Sequence, residues 1–172
     1  MVLPAQTEPH IEVHKFHPGV VAGAVFLALA LEVFLPRLLP RGGEYFELPF
    51  LVTLYFGLSR RNPVIGLLLG MVIGLLQDGL TGHLIGLFGL AKTVVGFGAS
   101  SLGGRIDVDH PLARLVLGGL FYLLHEGIYE VAQRLLLGQV SAFLTTYLLL
   151  ATLLNALLAV LLFPALDRLR RT

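Results

Sequence analysis

The sequence predicts an all-α integral membrane protein with about six transmembrane helices. Of its 172 residues, 56% are hydrophobic and only 13% are charged, whereas globular domains carry about a quarter charged residues. Apolar stretches long enough to cross a bilayer recur along the chain, separated by short breaks that contain Pro, Gly and Arg. A soluble fold of this length would lack the polar residues to cover its surface, so lipid is the predicted solvent.

Six apolar segments are predicted as spans. The second segment is short and contains Pro49, so we expect a tilted, broken or partly re-entrant helix there. Pro63 and Pro111 open the third and fifth segments, where the first turn of a helix tolerates proline. The predicted segments are 19–39, 45–58, 63–80, 83–102, 111–137 and 140–166.

The segments imply one transmembrane domain, 19–166, between a polar leader, 1–18, and a basic tail, 167–172. The leader resembles a signal peptide only loosely, since Lys15 alone supplies positive charge before the apolar run. The small residues around Ala28 could mark a cleavage site. The apolar run, however, continues past them as far as Leu39. We therefore expect an uncleaved first span.

The distribution of Lys and Arg predicts that both termini are cytoplasmic. With the N-terminus inside, eight basic residues flank the inner ends of spans and three flank the outer ends, and such a bias orients membrane proteins. The inner residues are Lys15, Arg60, Arg61, Arg105, Arg114, Arg168, Arg170 and Arg171, and the outer ones are Arg37, Arg41 and Arg134.

Composition and motifs argue against several classes of function. A formal net charge of +1 without a lysine-rich block gives no sign of nucleic-acid binding. No cysteine is present, and no phosphate loop or nucleophile elbow occurs. His125-Glu126 is followed by Tyr129 where a zinc-protease helix has its second histidine. We predict no enzyme, no cofactor and no metal site.

Glycines recur every four residues in the third segment, and the next step of four falls on Asp78. Such spacing lets another helix approach closely, which matters in lipid, where packing replaces the hydrophobic drive. The approaching helix is either a neighbouring span or a partner's helix. Asp78 precedes a Gly-rich turn, which it can cap. The predicted helix-packing residues are Gly66, Gly70, Gly74, Gly86, Gly89 and Gly96.

Ionisable residues fall near or above the predicted midplane of the bilayer. At about 1.5 Å per residue, this holds for Glu32, Asp78, Lys92 and Glu126, while Glu130 lies nearer the outer surface. A lysine in lipid needs a counter-ion. We predict that one or more of Glu32, Asp78 and Glu126 pair with Lys92. Two interpretations remain: ion pairs that fix helix register, or a polar pocket for a ligand or partner. The five residues are the predicted intramembrane polar or partner-binding set. Asn155 is predicted to hydrogen-bond another helix.

The segment 74–97 resembles the MreD family of bacterial rod shape-determining membrane proteins. The family pattern is a small-residue helix that ends in Asp, a short turn, a Leu/Ile-Gly-Leu step, and a helix with a late glycine before an aromatic residue. Here these are Asp78, Ile85-Gly86-Leu87 and Gly96-Phe97. The resemblance extends over residues 45–137.

The resemblance implies a non-enzymatic scaffold of the cell-elongation machinery in the bacterial inner membrane, which supports cell shape and lateral peptidoglycan synthesis. Its implied partners are MreC and, through MreC, the MreB filament, RodA and the class-B penicillin-binding transpeptidase. The family is also similar in fold to the substrate-binding subunits of energy-coupling-factor transporters. A vitamin-binding subunit is therefore the alternative function, and a small membrane enzyme ranks third.

Overall fold

The computed structural model describes residues 16–40, 42–82, 84–138 and 145–169. Over these ranges the chain forms six α-helices and one 3-10 turn, Gly43–Tyr45, and no β-strand, which confirms the predicted all-helical architecture. The helices are α1 (Pro18–Leu38), α2 (Leu48–Arg60), α3 (Pro63–Thr81), α4 (Leu87–Leu102), α5 (Pro111–Leu137) and α6 (Thr146–Asp167).

The outer surface of the bundle is apolar, as lipid requires. Within the described ranges, α1, α3, α5 and α6 are long and apolar enough to cross a membrane, and α4 is a shorter apolar helix. Phe26, Ile85 and Leu135 are 75%, 79% and 79% exposed. Such exposure is unfavourable in water but costs no free energy in hydrocarbon. The fold is therefore that of a multi-pass membrane protein.

Helix α2 is the centre of the bundle rather than a lipid-facing span. Its 13 residues extend about 20 Å at 1.5 Å per residue, less than the roughly 30 Å of hydrocarbon. Phe50, Leu51 and Leu54 are fully buried, and α2 contacts all five other helices. Pro49 lies in the first turn of α2, so the predicted break inside this helix is wrong: a proline in the first turn removes no intrahelical hydrogen bond.

Side-chain caps and prolines fix most helix starts. Asn62 accepts hydrogen bonds from Val64 N (3.1 Å) and Ile65 N (3.2 Å) ahead of α3, and His110 and Thr145 cap α5 and α6 in the same way. The predicted starts of the fourth and sixth segments, at 83 and 140, lie outside the described residues.

The two ends of the bundle are distinct. We call the end where α1 passes to α2, α3 to α4 and α5 to α6 the turn end, and the opposite one the terminal end. At the terminal end the Arg114 guanidinium contacts Asp167 Oδ2 at 2.6 Å and donates to Val108 O at 2.8 Å. Tyr55 Oη donates to Asp167 Oδ1 at 2.8 Å. These bonds join α2, α5 and α6.

Candidate functional site

A cluster of polar side chains lies inside the turn end of the bundle. We call it the polar cluster and define it as Glu32, Glu47, Gln77, Lys92, His125 and Glu126. These residues come from the end of α1, the start of α2, the end of α3, and the interiors of α4 and α5. The cluster therefore joins five elements that are distant in sequence.

Lys92 is the centre of the polar cluster. Its side chain is fully buried, and its Nζ lies 2.7 Å from Glu47 Oε1 and 3.2 Å from His125 Nε2. The ammonium also lies 4.5 Å from the centre of the Phe88 ring, within the range of a cation–π contact. The cost of placing a lysine in the membrane interior is thus offset by an ion pair, a hydrogen bond and an aromatic face.

The contact with Lys92 fixes the tautomer of His125. A lysine ammonium has donors only, so His125 Nε2 accepts the bond and Nδ1 carries the ring proton. His125 Nδ1 lies 3.2 Å from Glu126 Oε1, which accepts that proton's hydrogen bond. The imidazole is therefore neutral, and it links Lys92 to Glu126 in one directed chain of hydrogen bonds.

Glu47 anchors the start of α2 to the surrounding helices. Its Oε1 accepts bonds from Lys92 and from Gln77 Nε2 at 2.8 Å, and its backbone N donates to Asn155 Oδ1 at 3.0 Å. Leu48 N donates to Glu32 Oε2 at 3.2 Å. Two backbone N–H groups at a helix start, which otherwise lack partners, are satisfied here by α6 and α1.

The structure corrects the predicted pairing of Lys92. Glu32, Asp78 and Glu126 were the predicted counter-ions, and the residue in direct contact is Glu47. Sequence reasoning also missed Gln77. The available signal was Glu47 itself, an acid immediately before the Leu-Pro start of an apolar helix, where its charge also favours the helix N-terminus. Asn155 was predicted to bond another α-helix, and it bonds the segment that leads into α2: its Nδ2 donates to Tyr45 O in the 3-10 turn at 2.7 Å.

Asp78 caps α4. Its carboxylate accepts hydrogen bonds from Gly86 N (2.8 Å), Phe88 N (3.1 Å) and Gly89 N (3.1 Å). A carboxylate at this position satisfies the first N–H groups of α4 and interacts favourably with the helix dipole. Asp78 is fully buried, so it stabilises the turn and has no surface for a partner.

The glycines of α3 lie against α4. A Cβ on Gly66, Gly70 or Gly74 would collide with backbone oxygens of α4, those of Gly96, Lys92 and Phe88. A Cβ on Gly96 would in turn collide with Gly66 O, and one on Gly89 would lie 3.0 Å from the Leu75 side chain. Gly86 differs: nothing lies within 4 Å of its Cβ position, and its φ of +109 requires glycine for the turn rather than for packing.

A cavity of about 610 Å³ opens next to the polar cluster at the turn end. It has the size of a small-molecule site, about 300 to 1,000 Å³. Among the described residues, no group of three or more His, Cys, Asp or Glu side chains is placed to hold a metal ion. The polar and aromatic residues of the lining are Glu32, Arg37, Glu44, Glu47, Thr81, Phe88, Tyr122, Glu126, Tyr129 and Tyr147. Glu130 is not among them; it lies 3.4 Å from Arg134 in an i,i+4 pair.

Comparison with known proteins gives one match. Residues 16–172 match the family model described as rod shape-determining protein MreD. No curated protein and no solved structure matches the chain, so the predicted likeness to substrate-binding subunits of energy-coupling-factor transporters stays a prediction. MreD proteins are structural determinants of cell shape and are associated with the rod-shape complex. Because the match covers nearly the whole chain, this multi-pass membrane protein belongs to the MreD family of rod shape-determining proteins.

Proposed function

We propose that the chain is a non-enzymatic scaffold of the cell-elongation complex that binds the transmembrane helix of MreC. Through MreC it supports lateral peptidoglycan synthesis together with MreB, RodA and the class-B penicillin-binding transpeptidase. Membership of the MreD family supports the role in cell shape. The observation that carries the proposed mode of binding is an open, apolar groove on the lipid-facing surface.

The groove lies between α1 and α6. Within the described residues no Cα atom of α1 lies within 8 Å of a Cα atom of α6, whereas both helices approach α2 that closely, so α2 forms the floor. The cavity measures about 350 Å³, and the described residues that line it have no charged or polar side chain. Its lining residues are Val20, Gly23, Ala24, Leu27, Ala28, Leu31, Leu48, Val52, Leu162, Leu166 and Leu169.

The α1 wall of the groove has the small residues that helix association in lipid requires. Ala24 and Ala28 are four residues apart and share a face, and nothing lies within 4 Å of the Cβ position of Gly23. Because lipid provides no hydrophobic drive between helices, close backbone approach at small residues supplies the association energy. A single apolar helix, such as that of MreC, fits these requirements.

The proposal assigns partner binding to this apolar groove and not to the charged residues predicted from the sequence. Asp78 and Lys92 are fully buried, and Glu32 and Glu126 line the cavity at the turn end. Glu130 pairs with Arg134 on α5. In this proposal the charges hold the scaffold together, and the groove meets the partner.

The proposed orientation places both termini, the leader 1–18 and the tail 167–172, in the cytoplasm. The eight-to-three distribution of basic residues supports it. The turn end then faces the periplasm from the inner membrane, with 19–166 as one transmembrane domain. The vitamin-binding alternative gains no support, because the family match is to shape-determining proteins.

Two glycine substitutions test the groove. Gly23→Leu adds a side chain inside it, and we expect loss of copurification with MreC in mild detergent. Gly79→Leu is the matched control, since Gly79 is an exposed helical glycine of α3 that also has nothing within 4 Å, and it lies outside the groove. Equal copurification of the two variants with MreC would contradict the proposal, provided that both retain the melting temperature of the wild type.

A further inference from the structure

Three carboxylates of the turn-end cavity have unused hydrogen-bonding capacity. Glu32, Glu47 and Glu126 each line it. Each accepts through one oxygen only: Glu32 from Leu48, Glu47 from Gln77 and Lys92, and Glu126 from His125. The second oxygen of each carboxylate accepts no hydrogen bond from the residues that the structure describes. The cavity wall therefore offers acceptors that the fold does not use.

Tyr122 gives a second, independent sign of a ligand. Its side chain lines the same cavity, and the residue is only 3% exposed. Its hydroxyl makes no hydrogen bond to any described residue, although buried tyrosine hydroxyls usually have a partner. A nearly buried tyrosine that lines a cavity, with no hydrogen-bond partner for its hydroxyl among the described residues, marks a position where a bound group can donate or accept.

The interior of the cavity has more carboxyl groups than basic groups. The three carboxylates face one ammonium, Lys92, and His125 is neutral because its Nε2 accepts from that ammonium. At the rim, Glu44 and Arg37 are exposed and of opposite charge. A bound cation favours the charged form of nearby carboxyl groups, and the open oxygens of these three side chains can hold it directly.

Aromatic rings complete the lining. Phe88, Tyr122, Tyr129 and Tyr147 all border the cavity, and Tyr129 stacks on Phe88 with ring centres 4.6 Å apart. Aromatic faces attract cations, and organic ammonium groups in particular are recognised by aromatic side chains. Bare metal ions are a poorer fit, since such a site would need more oxygen ligands arranged around one point.

We infer that the turn-end cavity binds an organic cation, with its ammonium group held by the free oxygen of Glu126 and the hydroxyl of Tyr122, which lie four residues apart on α5, and with Glu32 and Glu47 beside it in the lining. The volume of about 610 Å³ accommodates a ligand much larger than one ammonium group. The cation comes either from a soluble amine or from the ethanolamine headgroup of a phospholipid. The site does not depend on which protein occupies the groove between α1 and α6.

Thermal stabilisation of the purified full chain tests the site. In detergent free of amine lipids, spermidine and ethanolamine probe the soluble source, with glycerol as the neutral control. In nanodiscs, phosphatidylethanolamine against phosphatidylglycerol probes the lipid source. We expect saturable stabilisation by an ammonium-bearing probe in one of the two arms, and none by glycerol or phosphatidylglycerol.

Conservative variants assign the binding to the cavity. Tyr122→Phe and Glu126→Gln remove one hydroxyl and one charge while keeping the side-chain shape, and we expect about tenfold weaker binding, as for loss of one charge-assisted hydrogen bond. Glu130→Gln, on the same helix outside the lining, is the matched control and should bind as the wild type does. The proposal fails if no ammonium probe stabilises the protein, if neutral probes act equally, or if Glu130→Gln weakens binding as much as Glu126→Gln.

Discussion

Two faces of the bundle are rich in small residues, and only one of them is filled. At the α3–α4 interface, a Cβ on Gly70 would collide with the backbone oxygen of Lys92. On α1, a Cβ on Gly23 would have nothing within 4 Å. The same residue type therefore serves a closed internal contact in one place and leaves an open surface in the other.

The two faces also differ in what lies beside them. Next to the filled face, Asp78 bonds three N–H groups of the α4 start, and Lys92 on the same helix holds the start of α2 through Glu47. The open groove is lined by apolar side chains alone. Polar bonds fix the register of the helices that pack within the chain, whereas the apolar groove leaves its occupant to be selected by shape.

The largest expected effect is that of Gly70→Leu. The added side chain would have to occupy space held by the α4 backbone, so α3 and α4 must separate along their whole contact. We expect little or no folded protein in mild detergent. The measurement is the monodisperse yield in size-exclusion chromatography, and a yield and melting temperature equal to the wild type would show that this face is not closed.

The next effect is that of Lys92→Met, which leaves Glu47 without its cation and His125 Nε2 without a donor. Removing one partner of a buried ion pair costs about 3 kcal/mol or more, so the melting temperature should fall clearly. The double variant Lys92→Met with Glu47→Gln should recover part of the loss, because the carboxylate in direct contact with Lys92 is then neutral as well.

Arg134→Met is the control for that experiment, since the Arg134 side chain is 40% exposed in its pair with Glu130. Exposed i,i+4 pairs contribute about 0.3 to 0.5 kcal/mol. A loss of stability in Lys92→Met no larger than that in Arg134→Met would contradict a role for Lys92 in holding the bundle.

The smallest effect on stability is expected from Gly23→Leu. The new side chain enters open space, and leucine forms helix more readily than glycine. The free energy of unfolding should change by no more than about 0.5 kcal/mol in the destabilising direction. A large drop in melting temperature would mean that the groove closes within the chain, which would remove the difference between the two faces.

Most helix boundaries could be predicted because capping residues and prolines next to each boundary determine it. Asn62-Pro63 and His110-Pro111 cap and start α3 and α5 at the predicted positions. The glycines spaced four residues apart before Asp78 correctly predicted helix α3 and the turn that follows it. These signals act over a few residues, so a single sequence contains them.

The pairing of Lys92 was not predictable in the same way. The depths predicted for the charged residues require each span to cross the whole hydrocarbon layer. Helix α2 has only 13 residues and is too short to do so. Glu47, at the start of α2, therefore lies inside the bundle in contact with Lys92. The separation of α1 from α6 is likewise a property of packing, since both helices are apolar over most of their surface and the pattern does not mark the side that faces a neighbour.

Site-specific photocrosslinking in cells tests the central claim most directly. A photoreactive amino acid replaces Leu27 in the groove or Leu120 on α5; both leucines are 58% exposed, and Leu120 lies outside the groove. The account predicts a covalent adduct with MreC from position 27 and none from position 120. An adduct from position 120 without one from position 27 would contradict the assignment of the groove between α1 and α6 as the surface that binds MreC.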